Sequence, residues 1–183
     1  MSKEQYLIIS KCKKGNVKAQ LKLYDLYCDA MFNIVCRYIK NEEDAKDVMQ
    51  EGFLKAFLNI NNYTSTPANS FGSWLKRIII NQCIDALRKQ NVDFIDIDSE
   101  DLYIPDEDWN FDSTISKEDI IKSIQKLPEK YKTVITLYLI EGYDHQEISQ
   151  ILNIPIRTSR THLRRGRLQL GELLKALYNE TRY

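Results

Sequence analysis

The stretch IPIRTSRTHLRRGRLQL, Ile154 to Leu170, holds five arginines and no acidic residue. Guanidinium groups at that density can stand in water on an ordinary helix face. They can also hold phosphate oxygens and read guanine edges with their planar forks. A second set of chemically capable residues lies far upstream. Asp44, Asp47 and Glu51 are three and four residues apart, so a helix puts them on one face with Gln50 beside them. Such a face can pair with basic residues of a partner, or simply be solvated. Little in the chain suits catalysis. The two histidines, His145 and His162, have no acid or nucleophile at a triad or metal spacing, and neither GxxxxGKS/T nor GxGxxG occurs. The four cysteines, Cys12, Cys28, Cys36 and Cys83, show no CxxC or Cys/His metal pattern. Each falls in an apolar-periodic segment, so reduced, buried thiols are expected. No catalytic residue, metal or cofactor is expected.

The elements that must position these residues are helical. In VKAQLKLYDLYCDAMFNIVCRYIK, apolar positions recur in steps of three and four from Leu21 to Ile39, the pattern of one buried helix face. Asn16 is the expected N-cap. The acidic set belongs to the next helix, opened by Asn41 with Asp44 three residues on. NNYTSTPANS interrupts the pattern, and a further helix runs through FGSWLKRIIINQCIDALRK. No stretch shows a period of two. The expected fold is all-α, with two small helical domains, residues 1–90 and 116–183, joined by an acidic linker at 91–115.

Charge supports that division. The formal net charge is zero, yet residues 1–90 hold 14 Lys and Arg against 9 acids, and 117–183 hold 12 against 8. Between them, residues 91–116 carry nine acids and no base, with Pro105 and no helical period. Like charges repel and extend such a strip. Its Phe94, Ile95, Ile97, Leu102, Tyr103, Trp109 and Phe111 are too apolar for a pure spacer, which suggests that part of it docks. There is no run of about 18 apolar residues to span a membrane. The apolar patch near the N-terminus is too short for a signal peptide, and a cytoplasmic location is expected.

In the C-terminal block Ser116 and Asp119 read as a capping pair, and Pro128 ends the first helix at Leu127. A second helix spans roughly Glu129 to Glu141 and stops at Gly142. Asp144 and Glu147 then open the short helix HQEISQIL. Asn153 suits a left-handed turn position, and Pro155 the first turn of another helix. A short helix, a tight turn and a second helix make a helix-turn-helix. Rotating the last helix by about 100° per residue gathers Ile156, Leu163 and Leu170 on one side, with Ser159 and Gly166 beside them. Arg157, Thr161, Arg164 and Arg165 point the other way, so the basic face is the one left to enter a DNA groove.

At these residues the chain resembles bacterial sigma factors of the extracytoplasmic-function group. LPEKYKTVITLYLIEGYDHQEISQILNIPIRTSRTHLRRGRLQL looks like their fourth domain. DAKDVMQEGFLKAFLNINNY followed by SFGSWLKRIIINQCIDALRK looks like their second. The resemblance implies a transcription initiation factor that binds core RNA polymerase at the β′ clamp helices and the β flap. It implies recognition of the promoter −35 element by the C-terminal domain and opening of the −10 element by the N-terminal one. The family's polymerase-binding positions fall here on Asp44, Asp47, Gln50 and Glu51. Its base-capturing loop falls on residues 61–70, with Tyr63 at an aromatic position able to stack on an extruded base. Asn81 matches a DNA-contacting position, and Lys76, Arg77, Arg88 and Lys89 would hold phosphates. Phe71 and Trp74 match a buried FxxW. The −35 reading positions are Thr161, Arg164 and Arg165, with Thr158, Arg160 and His162 nearer the DNA backbone; Arg157, on the exposed basic face, joins the expected −35 contacts. The resemblance also suggests an anti-sigma partner, and a linker threading the polymerase cleft, where the acids of residues 91–116 would mimic a phosphate chain.

This chain departs from the family in places. Many members carry Gly-Thr-Val where Arg157, Thr158 and Ser159 stand, so a serine replaces a buried valine. Gly166 replaces a frequent alanine, Asn153 a glycine, and Gly52 a larger residue. A helix-turn-helix regulator acting without polymerase is the competing reading, but no receiver or dimerisation element is visible. A purely structural adaptor fits poorly with charge so segregated.

Overall fold

The computed structural model describes residues 3–66, 69–90, 92–94 and 116–180. Among these there is no β-strand beyond a single bridge between Thr66 and Asn69. The chain divides into two compact units, Met1–Gln90 and Asn91–Tyr183.

The first unit contains α1 (Lys3–Lys13), α2 (Val17–Val35), α3 (Glu42–Leu58) and α4 (Phe71–Lys89). The asparagines set the helix starts. Asn16 accepts a hydrogen bond from the Ala19 amide at 3.0 Å, and Asn41 accepts from the Glu43 and Asp44 amides at 2.8 and 3.0 Å. Each satisfies amides that a helix start leaves orphaned, an effect of about 1 kcal/mol per cap. Packing then fixes the unit. Leu23, Val35, Phe53, Leu75, Ile79, Ile80 and Ile84 are buried, each contributing on the order of 1.5–3 kcal/mol.

α3 packs against α4, and Gly52 explains how near it can come. A Cβ at Gly52 would stand 2.5 Å from Ile79 Cδ1, so the isoleucine occupies the space a larger residue would need. The helix-propensity cost of that glycine, about 1 kcal/mol, is offset by the closer crossing. Cys12 and Cys83 are buried, and burial raises the Cys12 thiol pKa to about 11. Cys28 is half-buried and Cys36 exposed, which corrects the expectation of four buried thiols. Periodicity put Cys28 on the apolar stripe and Cys36 in the same segment at the helix end, without showing that either stays partly open.

The second unit contains α5 (Lys117–Gln125), α6 (Glu129–Ile135), α7 (His145–Leu152) and α8 (Ile156–Glu180). Ser116 accepts from the Asp119 amide at 3.1 Å while its hydroxyl donates to the Asp119 carboxylate at 2.7 Å. α6 widens into a π-turn over Thr136–Ile140, with the Glu141 amide bonded to the Thr136 carbonyl at 3.0 Å. Periodicity cannot distinguish that turn from ordinary helix. Gly142, at φ 78, then reverses the chain. Lys132 is wholly buried in this unit and pairs with Glu129 at 2.5 Å.

α7 and α8 form the helix-turn-helix. Asp144 and Glu147 make a full capping box. Asn153 adopts the left-handed conformation (φ 53, ψ 50) required between the two helices. The turn is stitched further by Ser149, whose hydroxyl donates to the Ile154 carbonyl at 2.6 Å. α8 then packs on α6 through Gly166. A Cβ there would stand 2.7 Å from Ile135 Cδ1 and 3.0 Å from Tyr131 Cβ, so even alanine requires the Ile135 methyl to move aside.

Candidate partner and nucleic-acid interfaces

α3 has a sharply divided surface. Ala45, Val48, Met49, Gly52, Phe53 and Ala56 are buried, while Asp44, Asp47, Gln50 and Glu51 are all exposed along the opposite side. Because the buried side is fully engaged, the acidic stripe is held in place by the core. Glu51 is further held from another helix: Gln82 of α4 donates to its carboxylate at 2.5 Å. Sequence reasoning missed Gln82, since a polar residue within an apolar helix pattern does not reveal its partner.

α4 carries the candidate DNA side chains. Arg77, Arg88 and Lys89 are exposed, and Lys76 and Asn81 half-buried. At helical spacing Arg77, Asn81 and Arg88 share one face. Asp85 stands in that face and pairs with Arg88 at 3.5 Å and Lys55 at 3.7 Å. These pairs are largely exposed, so their effect is to orient the cations rather than to stabilise the fold.

Tyr63 corrects an expectation. Its ring is only 2% exposed, edge-on to Phe71 at 5.4 Å and tilted against Trp74 at 5.3 Å, and its hydroxyl donates to the Asn69 carbonyl at 3.2 Å. With Tyr27 against Phe71 at 5.4 Å, four rings make one cluster beneath the loop. Lys13 clamps the Tyr63 carbonyl at 2.6 Å. No ring face is left for an unpaired base. A tyrosine can serve as a loop-bracing anchor or as a stacking platform, and its position in sequence does not separate the two.

On α8, Arg157 and Arg160 are exposed and Thr158, Arg164 and Arg165 half-buried, giving one basic face. Thr161 and His162 are corrections, at 8% and 0% exposed. Rotation about the helix axis gives direction but not depth, and the short Thr161 side chain does not clear its surroundings. His162 lies at the edge of the packing side, against the Tyr131 ring at 5.5 Å, with Nε2 2.8 Å from the Phe94 carbonyl. Ile156, expected on the packing side, is 38% exposed. Packing is centred instead on Ser159, Gly166 and Leu170, so it begins one turn further on. Phe94 itself is buried, so this linker residue docks on the second unit. Ile95, Ile97, Leu102, Tyr103, Trp109 and Phe111 lie outside the described residues.

The serine in place of valine has a partner. Ser159 Oγ is 2.9 Å from His145 Nδ1, and the imidazole stacks on Tyr138 at 4.8 Å. Burial, and then the nearby Arg160, lower the His145 pKa from its ordinary 6.5, Asp144 opposing and Arg167 reinforcing the shift. A serine replacing a core valine is itself a signal that a polar partner should be sought.

Comparison with known proteins places both units. The Sigma-70 region 2 family matches residues 23–92, and the Sigma-70, region 4 family matches residues 117–170. The chain is 35% identical to the ECF RNA polymerase sigma factor SigW of Bacillus subtilis, over 92% of this chain and 96% of that protein. It is 29% identical to the ECF RNA polymerase sigma-E factor of Haemophilus influenzae, over 93% and 95% of the two chains. The fold is similar to that of the Bartonella quintana sigma factor RpoE, solved with the anti-sigma factor NepR. There the TM-score is 0.54 at 21% identity, covering 87% of this chain and 98% of that one. It is also similar to CnrH, solved with the cytosolic domain of CnrY, with a TM-score of 0.51 at 21% identity over 93% and 96%. No helix among the described residues is long and apolar enough to cross a membrane. The two matched regions stand in the same chain, and this protein belongs to the extracytoplasmic-function sigma factors, which direct RNA polymerase in transcription initiation.

Proposed function

We propose that the two units divide the work of promoter recognition, as the domains at 1–90 and 116–183 joined by the linker at 91–115. The first docks on core polymerase through Asp44, Asp47, Gln50 and Glu51. It also meets −10 DNA through Lys76, Arg77, Asn81, Arg88 and Lys89. Tyr63 supports that loop from beneath. The second presents Arg157, Thr158, Arg160, Arg164 and Arg165 to the −35 element, the arginines on phosphates and guanine edges. Thr161 and His162 shape the helix from within. The protein acts as a non-catalytic cytoplasmic factor, and it is held by an anti-sigma partner until released.

The observation that carries this reading is the acidic stripe of α3, exposed on a helix whose other side is fully packed. A carboxylate stripe fixed in this way is poorly suited to DNA and well suited to a basic protein surface. The test is comigration of the purified protein with bacterial core RNA polymerase on a sizing column. Glu51→Arg is expected to lose comigration, with affinity reduced by at least about tenfold. Unchanged comigration in that variant would remove the stripe from the interface.

A further inference from the structure

Gln82 is a buried polar side chain, 8% exposed, in the middle of the helix that carries the candidate −10 DNA contacts. Its neighbours Ile79, Ile80, Cys83 and Ile84 are all buried and apolar. An amide placed there needs a hydrogen-bond partner, because burying it without one is destabilising. It has one, on the other helix: Nε2 lies 2.5 Å from Glu51 Oε2. An ionised carboxylate can only accept, so the amide nitrogen is the donor. The crossing of α3 and α4 is close because Gly52, adjacent to Glu51, admits Ile79. The same approach brings α4 within reach of Glu51.

We infer that Gln82 is a positioning residue for polymerase docking, fixing the rotamer of Glu51 before the partner arrives. A glutamate side chain free in water has rotamer entropy to lose on binding. Holding it in advance moves that loss from the binding step to folding, which is how preorganisation raises affinity. The hydrogen bond also ties the helix bearing Asn81 to the helix bearing the acidic stripe. Displacement of one helix is therefore felt at the other.

The inference rests on Glu51 being a polymerase contact, and the experiment separates the two. Binding of the full chain to core RNA polymerase is measured for wild type, Gln82→Met, Glu51→Ala and the double variant. Methionine has nearly the length of glutamine, suits a buried helix position and cannot donate. Gln82→Met is expected to weaken binding by about threefold to tenfold, the scale of one lost preorganised rotamer. Circular dichroism and the thermal midpoint are expected to stay near those of wild type. In the Glu51→Ala background the same substitution is expected to change nothing further, which a merely structural role would not produce. Wild-type affinity in Gln82→Met, or an equal loss with and without Glu51, would overturn the inference. Glu51→Ala binding as tightly as wild type would overturn it together with the assignment of Glu51 to the interface. Gln82→Glu, which sets a second carboxylate against Glu51, is expected to weaken binding more than Gln82→Met while Asp44 and Asp47 remain untouched.

Discussion

The two units present charge in opposite ways. In the first, α3 has a wide buried side and an acidic stripe whose members project fully from it. In the second, α8 has its arginines partly sunk among their neighbours, and two of the side chains on its expected reading side are buried. The difference follows from side-chain length. Short carboxylates stand clear only on a side that packs nothing. Arginines can lay their stems on apolar surface and still bring the guanidinium to a phosphate. An acidic face and a basic face can therefore be built on similar helices and differ in depth as well as in sign.

What the two faces share is a glycine crossing behind them, and this is where the comparison can be broken most strongly. Gly52→Val and Gly166→Val each drive a branched side chain into a space already filled, by Ile79 in one case and by Ile135 and Tyr131 in the other. Each is expected to destabilise its own unit by about 1–3 kcal/mol, read from denaturant unfolding followed separately in each unit. Gly52→Val should also weaken polymerase binding and spare −35 DNA binding, with the reverse for Gly166→Val. If either variant damaged both functions equally, the units would not be independent supports.

A smaller effect sharpens the contrast between the polar contacts beneath the two faces. Gln82 beneath the first face bonds a carboxylate, whereas Ser159 beneath the second bonds the imidazole of His145, a group whose ordinary titration lies near neutral pH. The groups facing His145 are Arg160, Arg167, Asp144 and the Tyr138 ring. Its folded pKa is lowered, so the unfolded chain takes up the proton first. The stability of the second unit is therefore fully present above pH 6.5, the ordinary histidine value, and falls as pH drops from there toward the folded pKa. His145→Gln is expected to flatten that slope in a series of thermal melts. A slope that survives the substitution would place its origin elsewhere.

Much of this architecture was legible in the sequence, and the parts that were not have a common cause. Asn16, Asn41, Ser116 and Asp144 act locally, each bonding amides two or three residues away, so spacing alone located those helix starts. The left-handed Asn153 was legible for the same reason. Tyr63, Thr161, His162 and Ile156 depended on depth, which is set by residues far away in the chain. A helical wheel carries no information about the Phe94 carbonyl that meets His162. The π-turn after α6 preserves an apolar pattern while changing its hydrogen bonding, so it was hidden too. Gly52 and Gly166 were visible as anomalies, and their meaning emerged only with Ile79, Ile135 and Tyr131 beside them.

If the acidic and basic faces are separate tools for polymerase and for DNA, substitutions in them must fail separately. The direct measurement compares Glu51→Arg with Arg157→Ala/Arg165→Ala in two titrations. One is against core RNA polymerase; the other is of each full-chain variant against a −35 fragment of a promoter recovered with the wild-type holoenzyme, across a salt series. The arginine variant is expected to bind core polymerase as wild type does. Its DNA affinity should fall, and the salt slope should shrink by about one for each phosphate contact removed. Glu51→Arg should show the converse, with weakened core binding and an unchanged DNA slope. Loss of core binding in the arginine variant, or an unchanged salt slope, would contradict the division of labour.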